Sequence, residues 1–352
     1  MVKTKERLLW LDAIKLFAII LVVWGHLIPK AGFLSPEPTS FRFYGINAFI
    51  YSFHMPLFMT MSGFVSYKIK QSGGGIFRKF KQLIVPCITV AIIGPLINFH
   101  DDLWYLRSLF ACYAICVLYY KVDCKYKLPI SLLLFFILCP LLTRIPFLFR
   151  LKIDFMLPFF VLGLFLHEKY SIIKKHLNSF LICFGVLFLI CILFWSGRYV
   201  WYNSRANWID YYVLFENFDF HKYMLNHSND IHEFGFLSFH NLLASFFRFV
   251  TGCFASIFFM CLFIRIFETF KYAKLAALGQ YSLHVYILHK LFVNSTYLRD
   301  AFLTLGITPS NDRYLYIFVT LIVALIITYV CIVIGRVLEK NRYIGFLLFG
   351  KS

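Results

Sequence analysis

"RLLWLDAIKLFAIILVVWGH", residues 7–26, starts as a membrane-crossing helix would and then departs from one. Arg7 precedes an apolar run long enough to span a bilayer, since about 20 mostly apolar residues suffice. Asp12 and Lys15 interrupt that run and His26 closes it. At about 100° per residue, Lys15 and His26 fall within about 20° of each other around the axis, and Asp12 within about 60° of Lys15. The three share one face extending about 20 Å along the helix. An ionisable group at membrane depth costs several kcal/mol unless it is paired or faces water, so the stripe implies a polar cavity along this helix. The blander alternative is an Asp12–Lys15 ion pair at i,i+3 near the interface, with Lys15 snorkelling and His26 hydrogen-bonded to a neighbouring helix.

The rest of the chain fits a membrane setting. Of 352 residues, 61% are hydrophobic, 20% aromatic and 15% charged, against about 25% charged in soluble domains. Apolar stretches recur at 8–28, 43–67, 83–99, 103–120, 129–149, 155–167, 178–196, 241–264, 275–297 and 314–337. The sequence therefore predicts an all-α, polytopic membrane protein of about ten transmembrane helices. It reads as a single domain over 1–352, with 197–240 as an extracytoplasmic loop. Lys and Arg favour one set of connections by about two to one, which puts both termini on the cytoplasmic side. The net charge of +18 sits in short segments between apolar stretches, not on a nucleic-acid-binding surface. Ten cysteines lie mostly within apolar runs and form no CxxC, so they read as small hydrophobes.

Other stretches carry polar groups into the bundle. "YSFHMPLFMTMSGF" (51–64) sets His54 inside a helix beside Pro56, whose ring frees a carbonyl. "GGGIFRKFKQLIVP" (73–86) leads from a glycine hinge to Arg78, Lys79 and Lys81. Arginine forks bind phosphate oxygens and lysine adds charge, although basic residues are also ordinary on the inner side. In the 197–240 loop, Trp201 and Trp208 accompany Asp210, Glu216, Asp219, Asp230 and Glu233. They read either as an interfacial aromatic belt or as a platform for sugar rings. His221, His227 and His232 have no common metal-ligand spacing, so no metal site is expected.

Together these segments resemble acyltransferase family 3, membrane proteins that move acyl groups, usually acetyl, onto hydroxyls of envelope carbohydrates. The resemblance rests on Lys15 and His26 separated by ten residues, preceded by "LDAIK", and on His54, Met55, Pro56, Leu57, Phe58, Ser62 and Gly63. It continues at Arg78 and Pro86, at Leu103–Leu106 with Trp104, and at Tyr281, Ser282, Leu283, Tyr286, Leu288 and His289. Lys81 stands where the family pattern has a second arginine, which removes a planar fork.

The resemblance implies a stand-alone membrane O-acyltransferase in the cytoplasmic or inner membrane of a bacterium. Its acceptor would be a hydroxyl of an exopolysaccharide, lipopolysaccharide or lipid-linked glycan. It implies no bound cofactor; acyl-CoA, acetyl-CoA foremost, enters as co-substrate, with the bilayer and a carbohydrate acceptor as further partners and no nucleic acid. His26 would serve as general base or acyl carrier, a task imidazole suits near neutral pH, with Asp12 and Lys15 lining its approach. Arg78, Lys79 and Lys81 would hold CoA phosphates. His54, Trp104 and His289 would contact acceptor, relay protons or bond structurally, whereas His284 reads as structural. The competing function is a transporter or flippase of an envelope glycan intermediate, because intramembrane charge also marks substrate paths. The oligomeric state is not encoded in any of these features.

Overall fold

The computed structural model of the chain describes residues 8–31, 44–69, 75–97, 103–121, 151–196, 200–202, 209–212, 239–269, 273–307 and 312–351. The expected 129–149 helix and the histidines at 221, 227 and 232 lie outside these. The described chain is a helical bundle with one small hairpin. In order, its helices are α1 (Leu9–Ala31), α2 (Tyr44–Val65), α3 (Ile76–Ile93), α4 (Trp104–Lys121), α5 (Ile153–Glu168), α6 (Tyr170–Lys175) and α7 (Leu177–Ser196). There follow α8 (Phe239–Thr269), α9 (Ala273–Ala277), α10 (Ser282–Val293), α11 (Thr296–Thr304), α12 (Arg313–Glu339) and α13 (Arg342–Phe349). The 197–240 loop contains antiparallel strands β1 (Val200–Tyr202) and β2 (Ile209–Tyr212), with Trp201 opposite Tyr211. That is the one departure from an all-α chain among the described residues.

Among the described residues, three segments are apolar and long enough to cross a membrane: Leu9–Ile28, Phe246–Thr269 and Tyr314–Glu339. Shorter apolar helices occupy Phe49–Val65, Phe155–Glu168 and Leu177–Leu193. Local chemistry sets several ends. The Asp312 carboxylate accepts from the Tyr314 and Leu315 amides, and the Asn341 side chain accepts from those of Tyr343 and Ile344, satisfying orphan donors at the starts of α12 and α13.

Helix α1 runs through the centre, packed on α2, α8, α10 and α12. Trp24 Nε1 donates to Thr320 Oγ1 at 3.1 Å, and the Tyr316 hydroxyl donates to the Ile28 carbonyl at 2.7 Å, which pins α1 to α12. Phe53 of α2 stacks on Phe259 of α8 with centroids 4.7 Å apart, and Phe17 of α1 lies 5.1 Å from Phe259.

Lipid tails are as apolar as leucine, so helices in a membrane associate through close packing and small residues rather than hydrophobic expulsion. The α2–α5 crossing shows this directly. A Cβ added at Gly63 would lie 2.0 Å from the Phe160 carbonyl oxygen, and one at Gly163 2.0 Å from that of Thr60. The same logic corrects one expected span. Residues 275–297 do not form a continuous helix: α9 ends at Ala277, a 3₁₀ turn covers Leu278–Tyr281, and α10 begins at Ser282. Gly279 in that turn abuts the Asp12 carbonyl so closely that a Cβ would sit 1.7 Å from its oxygen.

Gly163→Val should cost about 1–3 kcal/mol or more through overpacking against backbone that cannot move aside. Thermal unfolding of the detergent-solubilised chain checks this against Gly185→Ala, whose Cβ meets the Phe258 ring at 3.1 Å and should cost less.

Candidate active site

Two histidines from opposite ends of the sequence meet at the end of α1. His26 Nδ1 lies 2.9 Å from His289 Nε2, with the rings nearly parallel at 8° and centroids 5.2 Å apart. His289 is fully buried, whereas His26 is half-buried. Helix α10 supplies the second contact: His289 Nδ1 is 3.0 Å from the Val285 carbonyl and 2.9 Å from that of Tyr286.

Carbonyl oxygens only accept, so His289 Nδ1 carries the proton and its Nε2 is the accepting nitrogen. The bond to His26 then requires a donor at His26 Nδ1. It follows that neutral His26 bears its lone pair on Nε2. A chain of three atoms anchored in the backbone thus sets which nitrogen of His26 is basic.

A tyrosine pair links the histidines to α4. The Tyr286 hydroxyl accepts from the Tyr105 amide at 3.2 Å, and the Tyr105 hydroxyl is 3.1 Å from Ser62 Oγ. The Tyr286 and His289 rings lie 6.2 Å apart, and Tyr105 and Trp104 6.1 Å apart. Trp104 itself is capped by the Lys152 ammonium, 3.9 Å above its ring.

At the other end of α1, Lys15 and Asp12 form an i,i+3 ion pair at 3.7 Å. A cavity of ≈ 370 Å³ is lined by Val65, Ser66, Lys68, Gly75, Arg78, Lys79 and Tyr113. Gly75, with φ 58°, turns the chain into α3 in a left-handed conformation that glycine adopts without strain. Burial lowers the Lys79 pKa from its ordinary value, and the positive charges of Arg78 and Lys15 lower it further. A bound anion would relieve that crowding. Lys15 is thereby within electrostatic reach of the basin.

The nine residues singled out in the sequence therefore separate into groups. Arg78 and Lys79 line the cavity; Lys81 is not among its lining residues, and its ammonium lies 4.7 Å over the Phe77 ring. Asp12 and Lys15 are near the basin, His26 and His289 at the far end. Between them the expected polar stripe is broken, because Ile19 and Val22, on the same face, are buried with Met55 and Met59. His54 is buried and donates from Nδ1 to the Ile50 carbonyl at 2.7 Å within its own helix. His284 bonds the Glu339 carboxylate at 2.7 Å, which in turn pairs with Lys351, so it ties α10 to α12 and the chain end. Among the described residues, no His, Cys, Asp and Glu cluster has the makings of a metal site. The sequence patterns did not single out Lys68 of the cavity, Lys152 over the Trp104 ring, or Arg248, whose buried guanidinium lies over the Phe155 ring; a lone arginine inside the apolar 241–264 stretch is the signal for the last.

Residues 8–100 match the model of family Acyl_transf_3, described as an acyltransferase domain. The match includes Asp12, Lys15, His26, His54, Arg78, Lys79 and Lys81, and supports acyltransferase family 3. Together with the long apolar helices, this match over about a quarter of the chain supports a membrane acyltransferase in general terms. No curated protein and no solved structure matches the chain.

Nitrogen-15 NMR of histidine-labelled protein near pH 8 should show His26 protonated at Nδ1 and bare at Nε2. His289→Ala should remove that bias. A wild-type His26 protonated at Nε2 would contradict the bonding order above.

Proposed function

We propose that this protein is a membrane O-acyltransferase that carries an acyl group, acetyl above all, from acyl-CoA to a hydroxyl of an envelope carbohydrate. The observation that carries the reading is the His26–His289 pair, in which backbone anchoring leaves the lone pair of His26 on Nε2. In this reading the chain is one domain of about ten spans in the cytoplasmic membrane of a bacterium, with both termini inside. The basin at Arg78 and Lys79 then opens to the cytoplasm and receives the phosphates of CoA. Guanidinium and ammonium groups suit phosphate, and the crowding of Arg78, Lys79 and Lys15 favours an anion there.

From Lys15 to His26 α1 rises about 16 Å, a span that an extended phosphopantetheine arm can bridge. The acceptor hydroxyl gives its proton to His26 Nε2 as its oxygen attacks the thioester carbonyl. Collapse of the tetrahedral adduct breaks the C–S bond, and the departing CoA thiolate takes the proton from His26. His289 stabilises the imidazolium by accepting its Nδ1–H. General-base assistance of this type contributes about 10²–10⁴-fold. An acyl-carrier route would use the same lone pair, with Nε2 attacking the thioester first.

Membranes containing the protein, supplied with ¹⁴C-acetyl-CoA, should label surface glycan, and His26→Ala should reduce labelling at least about 10²-fold. Undiminished transfer by that variant removes His26 from the chemistry, and glycan labelling that does not require acyl-CoA supports a transporter instead. Label held on His26 without acceptor distinguishes the carrier from the base. Arg78→Ala should raise the donor KM about tenfold with kcat and acceptor KM little changed; an unaltered donor KM contradicts phosphate binding in the basin.

A further inference from the structure

The end of the bundle away from the basin holds a second set of cations, and none of the roles above uses them. Arg248 lies on α8 in the midst of an apolar stretch, is buried at 9% exposure, and places its guanidinium 4.3 Å from the centre of the Phe155 ring. Phe155 is one turn from the start of α5, where Lys152 caps the Trp104 indole at 3.9 Å. Ser108 Oγ of α4 donates to the Leu151 carbonyl, which fastens the beginnings of α4 and α5 together.

The fourth wall is α2. A Cβ at Gly252, one turn beyond Arg248, would lie 2.8 Å from Phe159 and 3.0 Å from Pro56. The Arg248–Gly252 turn is therefore wedged between α5 at Phe159 and α2 at Pro56. Helices α4, α5 and α8 thus bring two cations and two aromatic faces together, with α2 packed alongside. Trp104 leads through Tyr105 and Tyr286 to the histidine pair.

We propose that this cluster is an acceptor subsite that recognises an anionic group on the carbohydrate, with Arg248 and Lys152 binding the anion while Trp104 and Phe155 take sugar faces. An arginine held inside an apolar bundle is expensive and marks a substrate position. Its guanidinium matches carboxylate or phosphate oxygens in a bidentate fork, and the aromatic faces keep the cations in place. The anion can belong to a uronate in the sugar chain or to the phosphate of a lipid carrier; the recognition chemistry is the same. The role as acceptor subsite rests on the acyltransferase reading, but binding of the anion does not.

The test is binding to the full-length chain in nanodiscs of neutral lipid, with p-nitrophenyl β-glucuronide and decaprenyl monophosphate as anionic probes. The corresponding p-nitrophenyl glucoside and decaprenol are the neutral controls. At least one anionic probe should bind about tenfold more tightly than its control, the gain expected of a charge-assisted contact. The glucuronide winning identifies a uronate, and the phosphate winning identifies a lipid carrier. Arg248→Gln should erase the preference, Arg248→Lys should keep part of it, and CoA binding should be unchanged in both. Lys152→Gln, at the half-buried start of α5, provides the same readout should Arg248→Gln fail to fold. Equal binding of both probes and controls, or a preference that survives the charge-removing variants, overturns the proposal. Anion preference persisting in a chain that transfers no acyl group would overturn the acyltransferase reading alone.

Discussion

His289 donates from Nδ1 into two backbone carbonyls of its own helix, and the protonation pattern of the histidine pair depends on that bond. Backbone carbonyls cannot swap roles as a hydroxyl or amide can, so the direction of the next bond is set in advance. His26 must donate from Nδ1, and its basic nitrogen points away from His289. A lone imidazole in water moves between two tautomers. Here α10 selects one through its own backbone carbonyls.

Holding α10 in that position is a packing problem, and glycine is the solution. Gly279 allows the turn before α10 to rest against the Asp12 carbonyl, and a Cβ at Gly335 would lie 2.6 Å from the His284 ring, so α10 also nests against α12. At its first turn His284 joins Glu339 and, through it, Lys351. The chain end is drawn in by the same means: Gly350, at φ 62°, comes so near α3 that a Cβ would lie 2.4 Å from the Lys81 carbonyl oxygen. The helix bearing His289 and the helix bearing Arg78 are thereby braced by one C-terminal element, α13.

The ionisable groups are distributed in a way that suits an apolar solvent. Asp12 and Lys15 pair locally near the basic basin, the histidines pair with each other, and Arg248 and Lys152 lie on aromatic faces. Between the basin and the histidines, α1 presents Ile19 and Val22 rather than charge. Helical periodicity read Lys15 and His26 as the two ends of one polar groove. Periodicity reports direction around an axis and says nothing about what fills the interval.

Class and several helix positions were legible because they follow from short-range chemistry: apolar runs of spanning length, a glycine hinge before Arg78 and Pro56 beside His54, whereas the break of 275–297 at Gly279 was not. His26 was singled out as well, since an imidazole closing a charged stripe is costly in hydrocarbon. The pairing of His26 with His289, separated by 263 positions in the chain, was not, and neither was the meeting of Arg248, Phe155, Lys152 and Trp104. Contacts between distant segments depend on how helices cross, and crossings depend on backbone approaches at Gly63, Gly163, Gly252 and Gly279. The sequence by itself determined a helical membrane protein with basic residues at the start of α3 and a histidine closing a charged stripe. Only the tertiary structure decided which nitrogen of that histidine is basic, because a tautomer is selected by a partner that the linear chain does not place.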